Sequence, residues 1–462
     1  MIFVPFNLTV LGMSTSLNRL ALASLVTALC VSTAAAQSPT QLDAIVAEAL
    51  WNNLGLAQER LAVERTEAGV REARGRFLPE LSLGTRYSEQ SGTLDLGDVV
   101  NPAYEALNQL TGSNRFPTDL KLTFPQRHET RLRLAQPLFD ASVLAGHALA
   151  RHTRDGQRLE HGAAARQLAA DAQAAYLEVG AARSARRTWE ATLELVTESE
   201  RVARRLVDAG RATPDQVLRA EADRSEVRQQ LDEARRTEDA AARGFNHILR
   251  RALDEPVAEL PDTLLRFDIA LSEEQAVASA LARREELPRT EAGIRAAEAG
   301  VRLATAAYLP TLAVAVDYGF QAPDLGFGAD EDFAVASLVL VWRISLGGSD
   351  GARRSAAKAD AERLRLRRAE LEDLVRLDVR QAYDAAVVAR DAIATAEARL
   401  AAARRSFELV RRRYEEGLAT QVEYLDARTS FTAAELNRSA TVYRYAIRYV
   451  DLERAAALRD IT

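Results

Sequence analysis

The chain says the same thing twice, and that limits its fold more than any other feature. Glu67-Ala68-Gly69-Val70-Arg71 recurs as Glu298-Ala299-Gly300-Val301-Arg302, and Leu78-Pro79-Glu80-Leu81 recurs as Leu309-Pro310-Thr311-Leu312. Tyr87 matches Tyr318, Ala49-Leu50 matches Ala280-Leu281 and Leu56 matches Leu287, all at one offset of 231 residues. Further along, the offset falls to 207, pairing Tyr176 with Tyr383, Gly210 with Gly417, Thr213 with Thr420 and Leu218 with Leu425. The difference of 24 residues lies between Tyr87 and Leu134, as extra loop in the first half. Two collinear series of this length mean two copies of one unit, roughly 40–255 and 270–460.

Each copy reads helix, strand, loop, strand, long helix, turn, helix. Pro79 and Pro310 end helical stretches, because proline disfavours α geometry in the residue before it and removes an N–H. Beyond them the pattern alternates: Leu81 and Leu83 face one way, as do Leu312, Val314, Val316 and Tyr318. In the returning strand, Leu132 and Leu134 interleave with Arg131 and Arg133, apolar on one face and basic on the other. The other return, Ala336, Leu338, Leu340, Trp342 and Ile344, is apolar on alternate positions too. The expected strands are about 80–88 and 128–138, then 311–320 and 333–346. Ordinary hairpins on a soluble core would read similarly, but about 40 residues separate the first pair, a length usually reserved for functional loops.

No proline interrupts Asp140 to Leu206 or Gly351 to Tyr414. At 1.5 Å per residue each would extend on the order of 100 Å. Gly210 and Gly417 punctuate these runs, giving helical hairpins of about 140–250 and 351–458. In the last helix Val422, Leu425, Thr429, Thr432, Leu436, Ser439, Tyr443, Ala446 and Val450 recur at steps of three and four, a coiled-coil seam rich in small residues. So narrow a stripe cannot make a thick globular core.

Residues 1–36 read as a secretory signal, most compactly from Met13: Arg19 is the basic start, Leu20 to Val31 the apolar run, and Ala34-Ala35-Ala36 the small-residue cleavage site. Cys30, the one cysteine, follows Leu29 and not the small residue that lipidation wants, so it reads as part of the removed segment. After residue 43 no stretch approaches the roughly 18 uncharged apolar residues of a membrane helix. An exported chain of this kind can span a membrane only through closed β structure. The domain plan is a first unit over 37–256, a linker over 257–272 and a second unit over 273–462.

Composition removes other classes. A net charge of −6 gives no general attraction to nucleic acid. One cysteine leaves no Cys-based zinc site, and His147, His152 and His161 lack one-face metal spacing. Gly347-Gly348-Ser349-Asp350-Gly351 lacks the Gly-Lys-Ser/Thr ending of a phosphate loop. No enzyme motif, cofactor or metal site is expected.

Two strand hairpins, each joined to a long helical hairpin, resemble the outer-membrane efflux protein family, the TolC-like channels. The similarity extends over residues 40–458 and includes Gln136-Pro137-Leu138-Phe139 and Tyr414-Glu415-Glu416-Gly417-Leu418-Ala419-Thr420-Gln421-Val422-Glu423-Tyr424-Leu425-Asp426-Ala427. Arg284-Glu285-Glu286-Leu287 departs from an Arg-Pro pair found in many members. The resemblance implies a mainly α protein with a small β portion, trimerising into a 12-stranded barrel in outer-membrane lipid, continued by an α-helical barrel through the periplasm. It implies a passive conduit whose partners are two further copies, a periplasmic adaptor and an inner-membrane pump.

The same resemblance assigns roles. The turns Ala209-Gly210-Arg211-Ala212-Thr213 and Glu416-Gly417-Leu418-Ala419-Thr420 would be adaptor-docking tips, although both glycines also read simply as left-handed helix caps. Glu423 and Asp426, on one helical face, match an acidic pair that lines the periplasmic gate, where trimer symmetry would make two carboxylate rings. A solvated acidic face is the plain alternative. Tyr414 matches a latch tyrosine; its usual acidic partner falls at Gln216, with Asp215 adjacent, and an expected arginine is replaced by Ala419. Against the channel stand two other readings, a periplasmic adaptor and a coiled-coil scaffold without a pore.

Overall fold

The structure is a computed structural model that describes residues 41–89, 95–121, 127–260, 265 and 267–461. The expected signal segment lies outside the described residues. Helices dominate. Along the chain run α1 (Gln41–Asn52), α2 (Leu54–Gly75), β1 (Glu80–Tyr87), α3 (Gly97–Thr111), β2 (His128–Phe139), α4 (Ala141–Asp208) and α5 (Pro214–Leu249). Then follow α6 (Glu273–Arg283), α7 (Glu286–Ala306), β3 (Thr311–Ala322), β4 (Asp332–Val341), α8 (Ser349–Glu415) and α9 (Gln421–Ala455).

Among the described residues the strands form one antiparallel sheet in the order β1-β2-β3-β4, with β1 and β4 as its open edges. Register puts Leu83 beside Leu132, Tyr318 and Ala334, and Leu81 beside Leu134, Val316 and Ala336. Val314 with Leu338 and Leu312 with Leu340 continue this face. Leu81, Leu83, Leu338 and Leu340 are all exposed, so the described residues leave the apolar band uncovered.

Two details differ from the sequence reading. β4 stops at Val341, although the alternation runs on to Ile344. Val341 pairs with Thr311, the first residue of β3, and Pro310 before it has no N–H to extend the ladder. Trp342 instead donates its indole N–H to the Tyr308 carbonyl at 3.2 Å. The segment between β1 and β2 also holds α3, which the interior Pro102 hides from a periodicity reading. Asn101 and Asn108 pin the returning chain, each pairing with both the N–H and the carbonyl of one residue, Leu120 and Phe116 respectively.

The helical body is bound where α1, α4, α5 and the segment after α5 meet. Leu42, Ile45, Tyr176, Phe245 and Leu249 form one buried cluster, and Ala276, Ala280, Val375, Val379 and Leu452 form another. Tyr176 and Tyr383, which align in the sequence, both donate their hydroxyls to the connecting segment: Tyr176 to the Glu259 carbonyl at 3.1 Å, Tyr383 to that of Leu271 at 3.2 Å. Between α4 and α9 a close approach needs glycine, since a Cβ on Gly180 would lie 2.7 Å from the Tyr443 ring. At Arg284 the backbone is extended and separates α6 from α7. Its buried guanidinium bridges Glu286 at 2.7 Å and Asp378 at 2.6 Å.

Among the described residues no helix is long and apolar enough to cross a membrane.

Candidate functional site: the paired helical tips

The two turns at the ends of α4 and α8 share one chemistry. Gly210 (φ 66) and Gly417 (φ 76) sit in the left-handed region that costs a side chain-bearing residue strain. Around each, paired bonds close the preceding helix: Gly210 N–H to Val207 and Arg211 N–H to Leu206, then Gly417 N–H to Tyr414 and Leu418 N–H to Arg413. These are Schellman caps, which satisfy carbonyls left over by the helix end. Ala209 and Glu416 keep right-handed helical geometry, and Arg211, Leu418 and Ala212 lead into the next helix.

The following helices start differently. Thr213 precedes Pro214 and makes no side-chain cap. Thr420 makes a full capping box with Glu423: its hydroxyl accepts from the Glu423 N–H at 3.2 Å, and the Glu423 carboxylate accepts from the Thr420 N–H at 2.6 Å. That backbone donor, with the Thr420 hydroxyl, holds the Glu423 carboxyl below the usual glutamate range. Asp426 is exposed one turn on. The expected gate pair is therefore unequal, since Glu423 is tied to its own helix end.

The tips lie side by side. Buried Gln421 donates its amide to the Gln216 carbonyl at 2.8 Å, joining the start of α9 to the start of α5. Ala419 packs beside an aromatic cluster of Tyr414, Tyr424, Phe407 and Phe431. Tyr414 stacks on Tyr424 at 4.9 Å between ring centres, and Phe407 stacks on Phe431 at 5.5 Å.

The latch set does not assemble within one protomer. The Tyr414 hydroxyl is buried with no hydrogen-bond partner among the described residues, and burial pushes its ionisation up. Asp215 faces Arg219 of its own helix at 3.6 Å, and Gln216 contributes its carbonyl to Gln421.

Sequence reasoning missed a buried charged contact here. Arg428 of α9 pairs with Asp223 of α5 at 2.8 Å, largely out of solvent, and the Arg428 Nε has no partner among the described residues. Both line a cavity of about 360 Å³ with Trp189, Thr192, Val227 and Thr432. No spacing rule could link residues 205 apart. The seam expected along α9 also shifts near the tip: Val422 and Thr429 are exposed, while Tyr424, Ala427 and Arg428 face inward. The aromatic stack and the ion pair turn that first stretch, whereas Tyr443, Ala446 and Val450 farther along are buried.

Comparison with known proteins agrees with this architecture. Residues 45–245 and 276–458 match the family model described as outer membrane efflux protein. The chain is 25% identical over 411 residues to the outer membrane efflux protein BepC of Brucella suis biovar 1 (strain 1330), covering 87% of this chain and 82% of that protein. A membrane protein from Pseudomonas aeruginosa has the same fold, with a TM-score of 0.75 at 20% identity over 90% of this chain and 93% of that one. So does the outer membrane protein VceC from Vibrio cholerae, with a TM-score of 0.73 at 17% identity over 90% and 96%.

Proposed function

The chain belongs to the outer membrane efflux protein family, a channel protein of the bacterial outer membrane extending into the periplasm, and from that premise we propose that three copies build one gated conduit. One observation carries this reading. The sheet is apolar along one face, carries its charged residues on β1, β2 and β3 of the other, and among the described residues has both edges unpaired and four strands, too few to close. A lipid-embedded sheet must satisfy its edges, and closure with strands of other copies does so. Three such sheets make a twelve-stranded barrel with the apolar band on lipid.

The long helices α4, α5, α8 and α9 then continue inward as a hollow cylinder. The Gly210 and Gly417 turns, at its periplasmic end, offer Arg211, Ala212, Leu418 and Ala419 to a periplasmic adaptor, through which an inner-membrane pump is engaged. Threefold symmetry turns Glu423 and Asp426 into carboxylate rings at the narrowest point, attracting cations and opposing closure by repulsion. Tyr414, whose hydroxyl has no partner among the described residues of its own chain, meets Asp215 or Gln216 of a neighbouring protomer in the closed state. The protein performs no bond chemistry; its work is passage.

The test is single-channel conductance of the mature protein in planar bilayers beside a Glu423→Ala/Asp426→Ala variant. Discrete channels whose cation preference falls in the variant are expected. Channels indifferent to the variant would retain the conduit and remove the gate assignment. Absence of channels from folded protein would return the adaptor and scaffold readings.

A further inference from the structure

The face of the sheet opposite the apolar band carries Arg86, Arg131 and Arg133, and they are unevenly paired. Arg86 donates to Glu129 across the strands at 2.7 Å, a charge-assisted hydrogen bond. Arg131 reaches Glu129 only at 3.8 Å and Asp317 at 3.9 Å, and Arg133 reaches Asp317 at 3.8 Å. Those separations are too long for hydrogen bonds. The Asp317 Oδ1 they share is buried yet accepts no hydrogen bond from the described residues. Two guanidiniums are thus drawn to one carboxylate without being committed to it, and their side chains remain 43% and 40% exposed.

Small residues flank them on both neighbouring strands, and apolar ones follow on β4. Arg131 stands in register between Gly84 and Gly319, Ser82 lies beside Arg133, and Phe333 and Val335 stand beyond Gly319 and Asp317. A Cβ on Gly319 would fall 2.2 Å from the Thr130 carbonyl oxygen, so that position must stay without a side chain. A Cβ on Gly84 would meet nothing within 4 Å. Glu80, the remaining acid of this face on β1, sits opposite Ala135 at the other side of the Ser82–Arg133 row.

We propose that Arg131 and Arg133 form an anion-recognising collar inside the barrel, taking the carboxylate, sulfonate or phosphate group of an exported organic anion. The inference rests on the conduit reading, since only in a closed barrel does this face line a pore. Two residues apart on one strand, the guanidiniums project side by side about 7 Å apart at their Cα atoms. Each offers a planar fork of N–H donors suited to an oxyanion. Asp317 holds the forks apart and competes with the ligand, which keeps binding weak enough for release, as conduction requires. The collar offers guanidiniums where the Glu423 and Asp426 rings offer carboxylates, so the two ends of the conduit present different groups to a solute.

The experiment measures reversal potential in a KCl gradient and current block by naphthalene-1,3,6-trisulfonate, using the full mature chain in planar bilayers. Arg131→Gln/Arg133→Gln should raise the cation-to-anion permeability ratio on the order of threefold. It should also weaken block about tenfold, through loss of the forks. Arg131→Lys/Arg133→Lys should keep the permeability ratio and still weaken block, and it carries the test if the glutamine variant forms no channels. Wild-type channels with reversal potential and block equal to those of the variants overturn the collar and leave the conduit standing. No channels from folded wild-type protein overturn the conduit reading and the collar with it.

Discussion

Arg428 and Asp223 join α9 to α5 by a 2.8 Å ion pair whose side chains are 7% and 13% exposed. Breaking a buried pair by removing one partner leaves an uncompensated charge and costs about 3–5 kcal/mol, whereas replacing both can be close to neutral. Asp223→Leu and Arg428→Met should each lower the unfolding midpoint in urea, and Asp223→Leu/Arg428→Met should recover much of the loss. Equal additive losses in this double-mutant cycle would show that the pair acts as two independent residues.

Burial pushes the Asp223 carboxyl above the usual aspartate range, outweighing the attraction of Arg428. In the window between the ordinary value near 3.9 and the raised one, the folded state binds more protons than the unfolded state. Stability linked to this group therefore falls as pH rises through that window and is flat above it. Measured against Asp223→Asn, the wild type should show this slope; parallel stability–pH curves would contradict it.

Glu423 has the opposite sign. Its folded value is depressed, first by the Thr420 N–H and then by the Thr420 hydroxyl, so the cap is at full strength above the unfolded glutamate range and is lost as pH falls through the folded value. Amide exchange at the start of α9 should quicken in acid. Glu423→Gln, which keeps an acceptor but removes the charge, should flatten that dependence.

Gly210 and Gly417 hold left-handed backbone with nothing within 4 Å of an added Cβ. Substitution by alanine is therefore a test of strain alone, at about 1–2 kcal/mol per site. Lower thermal stability is expected from Gly210→Ala and Gly417→Ala, additive because the two caps share no partner. An unchanged midpoint in both would mean that the turns are not held in this geometry.

The Tyr414 hydroxyl separates two roles. A buried hydroxyl without a partner costs about 1–3 kcal/mol, so Tyr414→Phe should leave the isolated protomer as stable or more stable. If the hydroxyl ties neighbouring protomers, the same variant should raise the open probability of the trimer. Unchanged gating would confine Tyr414 to the stack on Tyr424.

Local chemistry was legible in the sequence. Proline at 79 and 310 removes a donor, the glycines at 210 and 417 reach positive φ, and Leu81, Leu83, Leu132 and Leu134 alternate with polar residues, so helix ends, turns and the apolar face of the sheet follow from neighbouring residues. Helical dominance follows equally from the long proline-free stretches. The internal repeat and the Tyr414–Ala427 segment carried the family likeness, because they preserve spacing as well as residue type.

Tertiary packing decided the remainder. Arg428 and Asp223 lie in different halves of the chain, and nothing around either residue announces the other. The inward face of α9 near the tip follows Tyr424 and Arg428 and not the apolar period, since one ring stack and one ion pair outweigh a narrow stripe of small side chains. Glu423 could be read as a gate carboxylate from its position, but only the folded turn joins it to Thr420. Periodicity fixes which face a residue occupies; the partner on that face depends on which distant helix arrives there.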